Sequence, residues 1–524
     1  MSLKDNPLGI RKIEDAKKAI DRDDSAEVES KIKFVQGDHW QDGEAWSGPM
    51  PSSLSSDFAT ISAEIERGFV SKNVIKEVVD RAVNGVIGRE PKFTLNMPDK
   101  RQTKLQEEAT ALIKKWMQDK DFQKQVQKAL RNAFIGGKST LRLFIPSGLL
   151  QDGQVQVNEK DPLSFLYLDA PDPLAAGVVE DPNTKEKVGI YIGKAVDANG
   201  KEVELAEITY LLPIENEQGQ RFTEITVLAE KGGSETAQLD LGGQLFIHEL
   251  GMPALITESV VSQQKMLNLN LTMMQRNSVL GGYLERVILN GQLPGHYEED
   301  ESGNQVFVRE DFITGAGSIN AINGVPQLDE NGNVRGYTSA SISYRDPVSV
   351  STFLQAKDAS YRAILEETQQ LHALLSGDAI TSGDSRRQAV AGFMSTLRIP
   401  KYTAERAIEW LLETLLHCAG TFAGTPDKYK GITVTAECKL DTGVVSAGEI
   451  DLLERQVRTG IISIETAREK CGIEDNDIEQ ARVEKELAFK NEVLKAYQAN
   501  DLTPQVDTNL DNRDIIDSVT GAGN

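Results

Sequence analysis

SVVSQQKMLNLNLTMMQRNSVL, residues 259–280, is the stretch on which the fold turns. It contains neither Gly nor Pro, and Val261, Met266, Leu269, Met273 and Leu280 recur at near-helical spacing. That spacing predicts a single helix, about 33 Å long at about 1.5 Å per residue. Gly281-Gly282 follows, and glycine is the residue that most easily leaves the helical conformation. Downstream, Val350, Phe353, Leu354, Tyr361, Ile364, Leu365 and Leu375 predict a second long helix, with Pro347 where a helix can begin. Between the two, residues 290–346 are β-like and rich in glycine (Gly291, Gly295, Gly315, Gly317, Gly324, Gly332, Gly336). The expected unit is a small β module of about 60 residues carried at the far end of two helices lying side by side.

Working toward the N-terminus, residues 150–257 read as β structure. Val188–Ile192, Glu207–Leu212, Glu224–Leu228 and Leu245–Leu250 are strand-like runs, with turns expected at Asn199-Gly200, Gln218-Gly219 and Gly232-Gly233. Before them, helices are expected over Asn73–Val86, Lys104–Lys120 and Phe122–Phe134, and strands over Pro91–Leu95 and Thr140–Ile145. Residues 1–30 read as one helix, Ile10–Ile20, and a loose arm. Toward the C-terminus, Ser376–Ser385 is a polar, glycine-punctuated loop. Helices Arg386–Leu397 and Tyr402–His417 follow, separated near Pro400, then a strand Ile432–Cys438. The chain is helical and charged from Ala447 to about Ala499, and residues 500–524 read as disordered.

Composition narrows the chemistry. The formal net charge is −23, from 80 acidic and 57 basic residues. Such a chain does not grip nucleic acid through phosphate contacts over its whole surface. The charge fits simple solubility, and it also fits a surface that lies near DNA without sticking to it. No run approaches the roughly 18 to 20 apolar residues of a membrane span. The start, Met1 to Asp24, lacks the apolar core of a secretory signal. Cys418, Cys438 and Cys471 form no C-x-x-C pair, and the five histidines show no metal-binding spacing.

Gly137-Lys138-Ser139-Thr140 resembles the end of a phosphate-binding loop, but Asn132 stands where the first glycine belongs. The predicted order is also helix then strand, the reverse of what that loop needs. No Gly-x-Ser-x-Gly elbow occurs, and no catalytic constellation is visible. The loop 376–385 reads either as an ordinary helix connection or as a functional loop displayed on rigid supports. Arg386 and Arg387 at its exit could meet phosphate or carboxylates of a neighbouring subunit.

Several short segments, in this order, resemble the portal protein family of tailed bacteriophages over roughly residues 30–490. They are Gly37-Asp38-His39-Trp40, the helix running into Gly88-Arg89-Glu90-Pro91, and Ala133–Ser139. Gly251–Leu255 and Gly460–Ala467, the latter followed by Asp475 and Glu479, continue the series. Each is short; their order, with helix, β module and helix between them, is the specific part. The resemblance implies an α+β chain of portal architecture. Its parts would be an N-terminal arm (1–29), a wing (30–256 and 389–446), a stem (257–283 and 347–375) and a clip (284–346). A tunnel loop (376–388), a helical crown (447–499) and a tail (500–524) complete it. The tunnel-loop residues would be Ser376, Gly377, Asp378, Thr381, Ser382, Gly383, Asp384, Arg386 and Arg387.

The family resemblance further implies a non-enzymatic, cofactor-free subunit of a dodecameric ring at one capsid vertex. Double-stranded DNA would pass non-specifically through it during packaging, retention and ejection. Implied partners are the terminase large subunit, a head-tail adaptor, and the major capsid and scaffolding proteins, with no membrane. The site of action would be the virion, after assembly in the host cytoplasm. Few aromatics and no basic stretch in 284–346 depart from the family and leave the docking partner open. The alternatives are a virion adaptor without a channel, and a nucleotide hydrolase acting through Gly137–Thr140.

Overall fold

The computed structural model describes residues 6–39, 67–99, 102–146, 150–151, 154–155, 161–196 and 200–215, most of 221–375, then 383–440 and most of 447–499. It is a mixed, α+β structure divided into two compact units, residues 1–441 and 442–524. In the first unit the chain opens with α1 (Ile13–Ile20), α2 (Ser25–Gln36) and α3 (Val74–Ile87). Then come β1 (Lys92–Asn96), α4 (Thr103–Asp119), α5 (Phe122–Gly136) and β2 (Lys138–Phe144). The short strands β3 (Leu150–Gln151), β4 (Gln154–Val155) and β5 (Tyr167–Asp169) lead into β6 (Ala176–Glu180) and β7 (Lys187–Val196). β8 (Glu202–Glu215), β9 (Arg221–Ala229), β10 (Ser234–Leu239) and β11 (Ile247–Gly251) follow.

The main core is built around α3. Asn73 caps it, its Oδ1 accepting from Lys76 N at 3.0 Å. Val74, Ile75, Val78, Val79, Val83 and Val86 are all buried, so this helix carries a broad apolar face that must be covered, while Lys76, Glu77 and Asn84 are exposed on its other side. α4, α5 and the late helix α10 (Arg398–Phe422) supply the wrapping, with Ile113, Trp116, Val126, Leu130, Ile408 and Leu412 in the same core. β20 (Thr433–Glu437) pairs antiparallel with β1, Leu95 opposite Val434, and so ties the returning chain to its beginning.

A five-stranded antiparallel meander, order β10-β9-β8-β7-β6, lies beside a three-stranded sheet, β11-β2-β5. Arg142 on β2 joins them. Its Nη2 meets Glu207 Oε2 on β8 at 2.6 Å, both residues nearly fully buried, and its guanidinium lies over the ring of Tyr191 at 3.8 Å. A second core covers one face of the meander, where Ile10, Ile13 and Ala16 pack on Val188, Ile190 and Ile208. The helix expected over Ile10–Ile20 is present as α1, and the loose arm expected after it is instead the start of α2 (Ser25–Gln36). Charged residues around Ile10, Ile13 and Ala16 hid a three-residue apolar stripe that a sheet face needs.

α6 (Glu258–Gly282) runs out to β12 (Glu285–Leu289), β13 (Gly291–Gln292), β14 (Gly295–Glu299), β15 (Gln305–Arg309) and β16 (Asn323–Gly324). β17 (Pro326–Leu328), β18 (Val334–Tyr337) and β19 (Ser341–Arg345) complete the module before α7 (Val350–Glu367). Pairing of β12 with β19, from Glu285–Arg345 to Leu289–Ser341, closes the module at its base, and its described strands form two-stranded sheets. The second long helix is not continuous to Leu375 as expected. It stops at Glu367, and α8 (His372–Leu375) is a separate turn.

α9 (Gly383–Thr396) begins three residues earlier than expected, so Gly383, Asp384, Arg386 and Arg387 are helical. An acidic residue in a first helical turn favours this start. α9 and α10 are separated by Leu397 alone, and Pro400 falls in the first turn of α10, where its missing N–H costs nothing.

In the second unit, α11 (Ala447–Arg458), α12 (Ile464–Lys470) and α13 (Asn476–Ala499) are joined by short turns. Gly460, at φ +73°, ends α11, with Ile461 N donating to Gln456 O at 2.9 Å. Ser463 opens α12 by accepting from Thr466 N at 3.1 Å.

Candidate functional site

α6 and α7 lie antiparallel. Thr257, just before α6, hydrogen-bonds Glu367 at the end of α7. At the other end Asn277 clasps Val348, donating to its carbonyl at 2.8 Å and accepting from its N–H at 2.9 Å. The pair is anchored to the body along one polar ladder of α6: Gln264, Asn268 and Thr272, each four residues apart and each buried. Gln264 Oε1 accepts from Val74 N (3.0 Å) and Ile75 N (3.2 Å), while its Nε2 donates to Lys72 O at 2.7 Å. Asn268 Oδ1 accepts from Lys72 N at 3.2 Å, and Thr272 Oγ1 accepts from Val70 N at 3.1 Å. Four helical residues rise about 6 Å, close to the roughly 6.6 Å of two extended residues. A helix can therefore satisfy an extended segment running antiparallel to it, as a strand would.

The same device recurs on α10. Glu405, Glu409 and Glu413 accept from Cys438 N (2.9 Å), Ala436 N (3.2 Å) and Val434 N (3.0 Å) along the outer edge of β20. Burial, reinforced by the Glu409 charge, raises the pKa of Glu413 against the Val434 hydrogen bond.

The apolar series that the sequence predicts on α6 faces the body only in part, with Val261 packed on the main core. Met266 is 50% exposed and Val279 53% exposed, while Val260, Gln264, Leu267, Asn268 and Thr272 face inward. Val348, Val350 and Leu354 are exposed on the α7 side, and Leu328, Val334 and Tyr337 in the β module. Ser351, Gln355, Asp358, Arg362 and Glu366 form a separate exposed stripe of mixed charge along α7.

Of the loop residues, Ser376, Gly377, Asp378, Thr381 and Ser382 lie outside the described residues. Gly383, Asp384, Arg386 and Arg387 are placed in the first two turns of α9 by the backbone alone. Sequence reading missed the Gln264 ladder, whose only signal was polar residues at i, i+4 and i+8, undistinguished among the other polar residues of the helix.

Gly137–Thr140 is a helix-to-strand turn. Gly137 sits at φ +76°, its N–H bonded to Ala133 O, and Lys138–Gly251 and Ser139–Leu250 are sheet pairs. Gly137 N is held by the end of α5 and the chain passes directly into β2, so this segment opens no helix whose free amides could cradle a phosphate. An open cavity of about 1110 Å³ adjoins it, but its charges pair off, Lys138 with Glu249 at 3.5 Å and Arg221 with Glu186 at 2.9 Å. Among the described residues, no group of three or more His, Cys, Asp or Glu is arranged to hold a metal ion. Among them too, no helix is long and apolar enough to cross a membrane. No protein-family model matches the chain, and no curated protein matches it in sequence.

Proposed function

We propose that this chain is the portal subunit of a tailed bacteriophage: a ring component forming the channel through which double-stranded DNA is packaged, retained and ejected at one capsid vertex. The observation that carries the reading is the α6–α7 pair. It is an antiparallel stalk bearing a β module at its far end, with Met266, Val279, Val350 and Leu354 exposed although both cores of the body are complete without them. Exposed apolar side chains on a stalk are satisfied by a neighbouring copy, and head-to-tail contacts of that kind close into a ring. The mixed-charge stripe Ser351–Glu366 would then face DNA. With a net charge of −23 behind it, such a lining holds phosphates weakly, and DNA slides.

In this reading the β module docks the terminase large subunit during packaging and a head-tail adaptor afterwards. The major capsid and scaffolding proteins surround the ring. No chemical step is assigned to this chain, and the energy for translocation comes from the terminase. Native mass spectrometry with negative-stain imaging tests it: the expected result is a closed ring, twelve-membered in the family reading, with a central hole. A stable monomer or dimer at every concentration overturns it, and an assembly without a hole favours an adaptor.

A further inference from the structure

We infer that the junction Thr368–Leu371 is a hinge with two states: the bend seen between α7 and α8, and a straight form in which one helix runs from Val350 to Leu375. The bend is a Schellman motif. Gln369 N donates to Glu366 O at 3.1 Å and Gln370 N to Leu365 O at 2.7 Å, which forces Gln369 to φ +55°. The same motif ends α2 at Gly37 (φ +109°) and α11 at Gly460 (φ +73°), where glycine accepts the left-handed conformation freely. Gln369 has a Cβ and lacks the short polar side chain that lets Asn or Asp settle there, so the bend is strained at this residue.

Nothing in the sequence demands a stop. From Val350 to Leu375 there is no Gly or Pro, and Ile364, Thr368, Leu371 and Leu375 keep the spacing of one helical face. What holds the bend is tertiary. Gln370 is fully buried; its Nε2 donates to Val78 O at 2.9 Å, and its Oε1 accepts from Arg81 Nη1 at 2.5 Å. Beyond it, the His372 ring lies 4.7 Å from that of Phe393, which docks α8 on α9. Local strain therefore opposes one buried glutamine, the His372–Phe393 contact and the partial packing of Leu371, Ala373 and Leu374 on the main core. Elements balanced in this way switch between discrete arrangements. Straightening regains the helical hydrogen bonds of residues 369–372, releases Gln370 from α3 and swings α8 off α9. A free subunit and a ring subunit would bend here alike, so failure of the ring test leaves the hinge standing.

Pulsed electron-spin resonance distances test it, with nitroxides on Asp358→Cys and Leu375→Cys in a Cys471→Ser background, diluted in unlabelled chain. In the straight form the two backbone positions stand about 26 Å apart, from about 1.5 Å per residue, and in the bend they are closer. The expected wild-type record is a major short component and a minor long one. Gln369→Gly relieves the strain and should lower the long-to-short ratio about fivefold or more. Gln370→Leu should make the long component major. A single short component in both wild type and Gln370→Leu overturns the hinge. If Gln370→Leu does not fold, a wild-type record that lacks the long component and matches Gln369→Gly does the same.

Discussion

Replacing Gln264 with leucine separates two ways in which α6 could be held. Leucine is close in volume and at least as good a helix former, so helix propensity does not penalise the change. Periodicity alone would count it as a gain, an extra apolar residue beside Val261. The tertiary structure says otherwise. Gln264 is fully buried, and without it Ile75 N loses its partner at a buried site, while Val74 N and Lys72 O keep only the 3.0 Å bond to each other. A buried unsatisfied main-chain group costs about 1 to 3 kcal/mol, and Ile75 N becomes one, so the expected loss is about 2 kcal/mol. The assay is denaturant unfolding of the intact chain, followed by the fluorescence of the buried Trp116 and Trp410. Gln275→Leu, an exposed glutamine on the same helix, is the control and should stay within about 0.5 kcal/mol of wild type. If Gln264→Leu falls within about 1 kcal/mol of wild type, the ladder does not anchor α6 and the account of the stalk is wrong.

Three further outcomes follow from individual contacts. Removing one member of the buried Arg142–Glu207 pair, as in Glu207→Leu, should cost about 3 to 5 kcal/mol, because the other charge is left buried and unpaired; Arg142→Met added to it should recover most of that loss in the same unfolding assay. His248, stacked on Trp410, has its pKa pushed down to about 4 by burial, with the Lys187 charge adding to it. Its folded value lies below the ordinary 6.5, so its contribution is complete above that pH and is lost as pH falls toward 4. By pH 5 the loss is about 2 kcal/mol, and His248→Phe should flatten the decline in unfolding free energy between pH 7 and pH 5 by that amount. Glu413 has the opposite sign. Its raised folded value makes ionisation a cost above the ordinary carboxylate range, so Glu413→Gln, which keeps an acceptor for Val434 N, should raise stability at pH 7 and leave it nearly unchanged at pH 4.

Much of the α/β body was legible because its signals are local. Val74, Val78, Val79 and Val83 recur on one helix, with Asn73 before them as a cap. Val188–Ile192 and Glu224–Leu228 lie inside strands that the structure extends by a few residues at each end. The packing of Ile10, Ile13 and Ala16 was not legible, since three apolar residues among charges have no meaning until a sheet face is there to receive them. The role of the Glu405–Glu409–Glu413 row was not legible, and only the edge of β20, reaching as far as Cys438, shows what those carboxylates accept. For the loop site, Gly383-Asp384-Ser385 reads as loop because Gly, Asp and Ser are turn residues, and the structure instead makes it the first turn of α9.

By itself the sequence determined where helices and strands run, and that a β module sits between two long helices. Those properties follow from the chain's own period and from Gly and Pro at the ends. Only the tertiary structure decided which face of α6 looks inward, and that the second helix bends at Gln369. The reason is the same in both places. A period tells which residues share a face, but the face that is buried is chosen by distant backbone groups in need of partners, Val70–Ile75 for α6 and Val78 for Gln370.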